Sequence, residues 1–151
     1  MIVNRSKYID QLVRSKGNGL IKIVTGLRRS GKSFLLKKLF RQHLLDEGVA
    51  EDHIMIIDME SRKNKNFKDP DFLLDWVEKE MKDDCTYYII IDEVQEVNDF
   101  VEVLSTLSVT EGTDVYVTGS NSRFLSSDVV TEFRGRGDEI HVWPLSFAEF
   151  M

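Results

Sequence analysis

Cysteine is almost absent: the chain has one, Cys85, in 151 residues. A disulfide within the chain is therefore impossible, which points to a reducing, cytoplasmic setting. Histidine is scarce too, with three copies. Without a cysteine pair beside them, a zinc site is not expected. No run approaches the roughly 18 apolar residues of a membrane span. Met1 to Arg5 lack the apolar core of a signal peptide. No repeat and no low-complexity segment is present. Positive charge is outweighed, 20 Lys and Arg against 26 Asp and Glu, for a net charge of -6. Such a balance lacks the footprint of a dedicated nucleic-acid binder. What is there is 42% hydrophobic and 30% charged, an ordinary soluble globular composition. The length suits one domain, with a core that hides about two-thirds of the unfolded surface.

The organising stretch is Gly26-Leu27-Arg28-Arg29-Ser30-Gly31-Lys32-Ser33, which fits the phosphate-binding loop G-x-x-x-x-G-K-[ST]. Its flanks give the match weight. Leu20 to Thr25 is an apolar, β-branched strand, and Phe34 to Phe40 opens an amphipathic helix. Gly26 and Gly31 allow backbone angles that turn N–H groups inward as an anion nest. The helix start adds its positive dipole end. Lys32 is the residue expected to reach the β- and γ-phosphates, and the Ser33 hydroxyl to ligate Mg²⁺. Gly26 to Phe34 form the expected nucleotide-binding segment. Arg28 and Arg29 either touch phosphates or pair with acids such as Glu60.

Elsewhere strands and helices alternate. Ser6 caps a short first helix, and the second helix runs to about Asp46, where Gly48 stops it. Asp52 to Glu60 reads as a second strand and Ser61 to Asp69 as a charged loop. Asp69-Pro70 signals the start of a third helix. Thr86 to Ile91 is a third strand, apolar enough to be covered on both faces. Asn98 caps a helix ended by Gly112. Asp114 to Thr118 is a fourth strand, Ser126 or Ser127 starts a short helix, and Glu139 to Trp143 is a fifth strand. The pattern predicts an α/β sandwich with a mostly parallel sheet. Ligands in such sheets bind at the carboxyl ends of strands.

A second motif closes the third strand: Ile89-Ile90-Ile91-Asp92-Glu93. Asp92 is placed to hold Mg²⁺ and Glu93 to polarise the attacking water as general base. Glu60, at the end of the second strand, is a rival base. Ser120 or Asn121, after the fourth strand, is a candidate sensor of the γ-phosphate; the same residues also favour a plain turn. Arg134 and Arg136 flank glycines in a cationic loop. They either reach a neighbour's γ-phosphate in trans or form a solvated surface. Tyr8 is a weaker candidate for the adenine side. His43, His53 and His141 have no partners that suggest catalysis.

These motifs resemble the AAA-type P-loop ATPases of bacteria and archaea that carry an uncharacterised C-terminal domain. The resemblance rests on Lys22 to Ser33, Tyr88 to Gln95, Thr118 to Ser122, Phe133 to Arg136 and Pro144 to Phe150. It implies ATP and Mg²⁺ as ligands and a three-layer fold with a five-stranded sheet in the order 5-1-4-3-2. Lys32, Ser33, Asp92 and Glu93 are then the working residues. Members of that family continue into a helical lid and further domains. The chain is therefore expected to be the nucleotide-binding core alone, with any homo-oligomer contacts belonging to the full-length protein. The function expected is Mg-dependent ATP hydrolysis to ADP and phosphate. A nucleotide-gated switch with slow turnover is the alternative. A P-loop kinase is disfavoured, because a kinase has no need of a water-activating glutamate beside Asp92.

Overall fold

The computed structural model describes residues 6–16, 21–25, 35–119 and 137–141. Helix α1 is Ser6–Ser15, strand β1 is Ile21–Thr25, and helix α2 runs as a π-wound turn, Leu35–Phe40, into an α-helical part, Arg41–Asp46. Then come β2 (Ile54–Asp58), α3 (Pro70–Glu80), β3 (Tyr87–Asp92), α4 (Phe100–Ser108), β4 (Thr113–Gly119) and β5 (Gly137–His141). The strands form one five-stranded sheet in the order β2-β3-β4-β1-β5, with every pair parallel. This is the expected 5-1-4-3-2, read from the other edge.

Strand periodicity divides the core between the two faces of the sheet. On one face Ile21, Ile57, Tyr87, Ile89, Ile91, Val115 and Val117 pack against Leu73 and Val77 of α3 and Phe100, Leu104 and Leu107 of α4. On the other, Val24, Tyr88, Ile90 and Tyr116 pack against Leu12 of α1 and Leu35, Leu36, Phe40 and Leu44 of α2. Alternate residues of β3 and β4 thus serve opposite layers, as a period of two requires. All six residues of β3 are buried, which is why that segment reads as a continuous apolar run.

Helix boundaries follow local chemistry where nothing distant competes. The Asp69 side chain caps α3 by accepting from the Asp71 N–H at 3.1 Å, with Pro70 at the first helical position. Gly48 turns the chain out of α2 with φ +97°. Other boundaries differ from expectation. The Asn98 N–H donates to the Lys68 carbonyl at 3.0 Å, so Asn98 is tied to a distant segment and the cap position passes to Asp99. Ser61 to Asp69 is not plain loop, since Arg62–Lys68 winds into 3₁₀ turns where Phe67 meets the rings of Phe72 and Trp76. Strand β2 starts at Ile54, after a 3₁₀ turn at Glu51–His53. Helix α4 ends at Ser108, ahead of Gly112, which instead turns into β4 with φ +87°. Strand β5 lies two residues earlier than expected, because Gly137–His141 is the segment in register with Ile21–Thr25. The helix expected near Ser126 falls outside the described residues. No helix among the described residues is long and apolar enough to cross a membrane.

Candidate functional site

The carboxyl ends of β2 and β3 bring two acids together. Asp58 and Asp92 are register partners, each the last residue of its strand. Lys37, from α2, spans them: its Nζ lies 3.2 Å from Asp58 Oδ2 and 3.3 Å from Asp92 Oδ2. Burial alone would lower the Lys37 pKa, but the two carboxylates more than offset it and hold the ammonium above its ordinary value. Asp92 is almost wholly buried, whereas Asp58 is half-buried and also accepts the Glu60 N–H at 3.0 Å.

Thr118, near the end of β4, ties Asp92 to Glu93. Its hydroxyl donates to Asp92 Oδ1 at 2.6 Å and accepts the Glu93 N–H at 2.8 Å. Glu93 itself is buried and sits in the left-handed region, φ 59° and ψ 55°. That conformation is uncommon for a residue with a side chain and persists only where the surroundings enforce it. Here the Thr118 bond fixes the backbone, and Gln95 Nε2 donates to Glu93 Oε2 at 2.6 Å. Gln95 Oε1 is buried without a hydrogen-bond partner among the described residues. The result is a buried acid, pre-positioned at the mouth of the sheet beside a second acid and a lysine.

Replacing Thr118 by valine keeps the shape and removes the hydroxyl. The buried Glu93 N–H and one Asp92 oxygen then lose a partner, so stability is expected to fall by about 1–3 kcal/mol. Urea unfolding at constant m-value measures this; a loss under half a kilocalorie would show the bridge to be dispensable.

Lys37 and Asp58 were absent from the sequence reading. Asp58 does carry a signal, since it ends an apolar run as Asp92 does; Lys37 carries none. The phosphate-loop residues 26–34 lie outside the described residues, as do Ser120, Asn121, Arg134 and Arg136. The described elements bracket that loop, with β1 ending at Thr25 and α2 beginning at Leu35. Glu60, the rival base, is exposed in the turn after β2.

Residues 18–151 match the family described as AAA domain. The chain belongs to this family. Its three-layer, parallel-sheet architecture is that of AAA-type P-loop ATPases. This AAA domain is 35% identical over 151 residues to an uncharacterized protein of Haemophilus influenzae and 28% identical over 150 residues to one of Methanocaldococcus jannaschii. It covers 99% of itself in both matches, but only 38% and 31% of those longer chains. Among solved structures it is similar to C. elegans PCH-2, with a TM-score of 0.65 and 16% identity over 97% of this chain and 45% of that one. A DNA polymerase III gamma subunit-related protein of Thermotoga maritima matches with a TM-score of 0.60 and 8% identity, over 92% of this chain and 46% of that one. A chain of the Drosophila ORC bound to DNA matches at 0.58 and 13%, over 94% and 91%. At such identities the likeness is one of fold.

Among the described residues, the donor set at this end of the AAA domain's sheet is oxygen only. Asp58 and Asp92 present hard oxygen ligands side by side, and Lys37 already sets a positive charge between them. A small, hard divalent ion fits such carboxylates.

Proposed function

We propose that this chain is the nucleotide-binding core of a Mg-dependent ATPase, with Glu93 as general base. The observation that carries the reading is Glu93 itself: a buried carboxylate held in a left-handed turn next to Asp92, at the carboxyl edge of the sheet where β1 leads into the phosphate-loop motif. In this reading Gly26 to Phe34 wrap the phosphates and Lys32 contacts the β- and γ-oxygens. Mg²⁺, held by Ser33 and Asp92, would neutralise charge on the phosphates. Thr118 fixes the Asp92 carboxylate, and Glu93 takes a proton from the water that attacks the γ-phosphorus. Ser120 or Asn121 senses that phosphate. Arg134 and Arg136 serve a neighbouring copy in a cytoplasmic homo-oligomer of the longer protein.

The test is release of phosphate from ATP with no acceptor added. The parent protein is expected to turn over at a rate within the common enzyme range of ~1–10³ s⁻¹. Lys32→Ala should abolish nucleotide binding, and a joint Arg134→Ala, Arg136→Ala variant should bind ATP but hydrolyse it slowly. ADP formed only when an acceptor is supplied, with the phosphoryl group on that acceptor and no free phosphate, would instead mean a kinase. One observation favours a slower switch: Gln95 already occupies a Glu93 oxygen. Turnover far below ~1 s⁻¹ with tight ATP binding would support that second reading.

A further inference from the structure

A separate cluster lies at the opposite end of the sheet. His53 immediately precedes β2, and Cys85 comes two residues before β3, so both stand at the amino ends of strands. Asp83, in the turn after α3, faces His53, with its Oδ2 at 2.8 Å and Oδ1 at 3.1 Å from Nε2. One ligand atom each from His53, Asp83 and Cys85 lies within 4.8 Å of the other two. Nitrogen, oxygen and sulfur donors are thus gathered from two segments into one small volume.

The surroundings hold these donors in place. The His53 ring stacks on Tyr87, with centroids 4.4 Å apart and planes 27° from parallel. Asp52 Oδ1 sits 2.8 Å from Nδ1, which leaves Nε2 as the nitrogen turned toward Asp83. A carboxylate on the far nitrogen is the arrangement that orients metal-binding histidines and raises their basicity. The buried Tyr87 hydroxyl accepts the N–H groups of Lys82 and Asp83 at 2.8 and 3.2 Å, and the Cys85 N–H donates to Asp83 Oδ1 at 2.9 Å. One tyrosine therefore anchors both the histidine ring and the turn that carries Asp83. A cavity of about 310 Å³, lined in part by His53, Cys85 and Tyr88, adjoins the cluster.

We propose that His53, Asp83 and Cys85 form a three-ligand site for a divalent transition metal of the zinc class, with Asp52 as its outer carboxylate. Imidazole, carboxylate and thiolate together suit a borderline-soft ion and not Mg²⁺ or Ca²⁺. Three protein ligands leave a fourth tetrahedral position for water or for a small donor in the adjoining cavity. Binding displaces the Cys85 thiol proton, and the Nε2 proton that His53 directs at Asp83, to solvent, and puts the cation where Asp52, Asp83 and Asp84 concentrate negative charge. The sequence hides the site because its ligands follow no familiar spacing: His53 stands far upstream of the Asp83-x-Cys85 pair. The site does not depend on the ATPase reading, since it shares no residue with it.

Cobalt(II) is the optical probe, added to chelator-treated protein without nucleotide. One Co²⁺ per chain is expected, with a thiolate-to-cobalt charge-transfer band that added Zn²⁺ removes. Cys85→Ser should erase that band. Asp52→Asn should keep the band and weaken binding by about 10–100-fold. Because Cys85 is exposed, its serine variant is expected to fold, and circular dichroism of the metal-free forms checks this. The proposal is overturned if no charge-transfer band appears, or if Cys85→Ser keeps the band or binds Co²⁺ as well as the parent. It is equally overturned if one ion joins two chains. Should the serine variant unfold, alkylation of Cys85 in the parent decides: Zn²⁺ protection supports the site, and an unchanged rate sinks it.

Discussion

Exchanging Glu93 for glutamine is expected to slow ATP hydrolysis by about 10²–10⁴-fold, the usual worth of a positioned general base. Nucleotide affinity should stay within a few-fold of the parent. The reasons lie in what the substitution preserves. Glutamine has the same length and volume, so the left-handed backbone at this position meets the same constraint. Its N–H still donates to Thr118, and its side-chain oxygen still accepts from Gln95. Asp92 keeps its own bond from Thr118. What is lost is the negative charge and, with it, the capacity to accept a proton. Steady-state phosphate release together with ATP binding by fluorescence or calorimetry separates the two effects. If turnover survived in Glu93→Gln, Glu60 would become the next base to test, despite its exposure. If binding and turnover fell together, Glu93 would be supporting the fold of the site and the assignment would fail. A drop confined to kcat is the signature of a group acting only on the way to the transition state.

Much of the architecture can be read from the chain because it rests on local signals. Apolar runs at Ile21 to Thr25, Tyr87 to Ile91 and Val115 to Val117 can hardly be anything other than strands covered on both sides. Asp69-Pro70 and Gly48 behave as their chemistry dictates. The misplacements come from contacts between distant segments. Asn98 has the side chain of a cap, but its backbone is claimed by Lys68. The hydrophobicity of Ile140, Val142 and Trp143 centres a strand too late, whereas pairing with β1 selects Gly137 to His141. The same distinction governs the site. Asp92 and Glu93 announce themselves through a strand ending in acids. Lys37 and Asp58 join them only because α2 crosses the sheet beside β2, and no spacing in the chain records that crossing. The cluster around His53 is the extreme case: its histidine seems isolated until the turn at Asp83 is folded over it.

Lys22 carries the largest stability prediction. It lies inside an otherwise apolar strand, fully buried, and it pairs with Asp114, which is 4% exposed. Lys22 and Tyr116 are register partners across β1 and β4, and the ammonium lies 5.0 Å from the centre of the Tyr116 ring. The Tyr116 hydroxyl donates to Asp114 Oδ2 at 2.7 Å. Burial first, and then the Asp114 charge, push the Tyr116 pKa far upward, so this hydroxyl remains a donor at any pH the protein meets. Removing one partner of a buried ion pair costs about 3–5 kcal/mol. Lys22→Met and Asp114→Leu are each expected to lose that much in urea unfolding. Since a domain of this kind has only about 5–15 kcal/mol in hand, either change would consume a large share of it. Removing both charges, as Lys22→Met with Asp114→Leu, should restore most of the loss, because apolar groups of similar volume commonly replace a buried ion pair at little cost. The double-mutant cycle reads the coupling directly. A coupling below about 0.5 kcal/mol would mean that the pair is not held together as a unit. The position gives the pair a second consequence. Strand β1 runs straight from Lys22 toward Gly26, where the phosphate-loop motif starts, and α1 and α2 pack on the face that carries Tyr116. A charge pair in that layer fixes the register of β1 against β4, because a slip would bury each charge without its partner. The single variants should therefore bind nucleotide more weakly than their loss of stability alone explains, and the double variant should recover stability before it recovers binding.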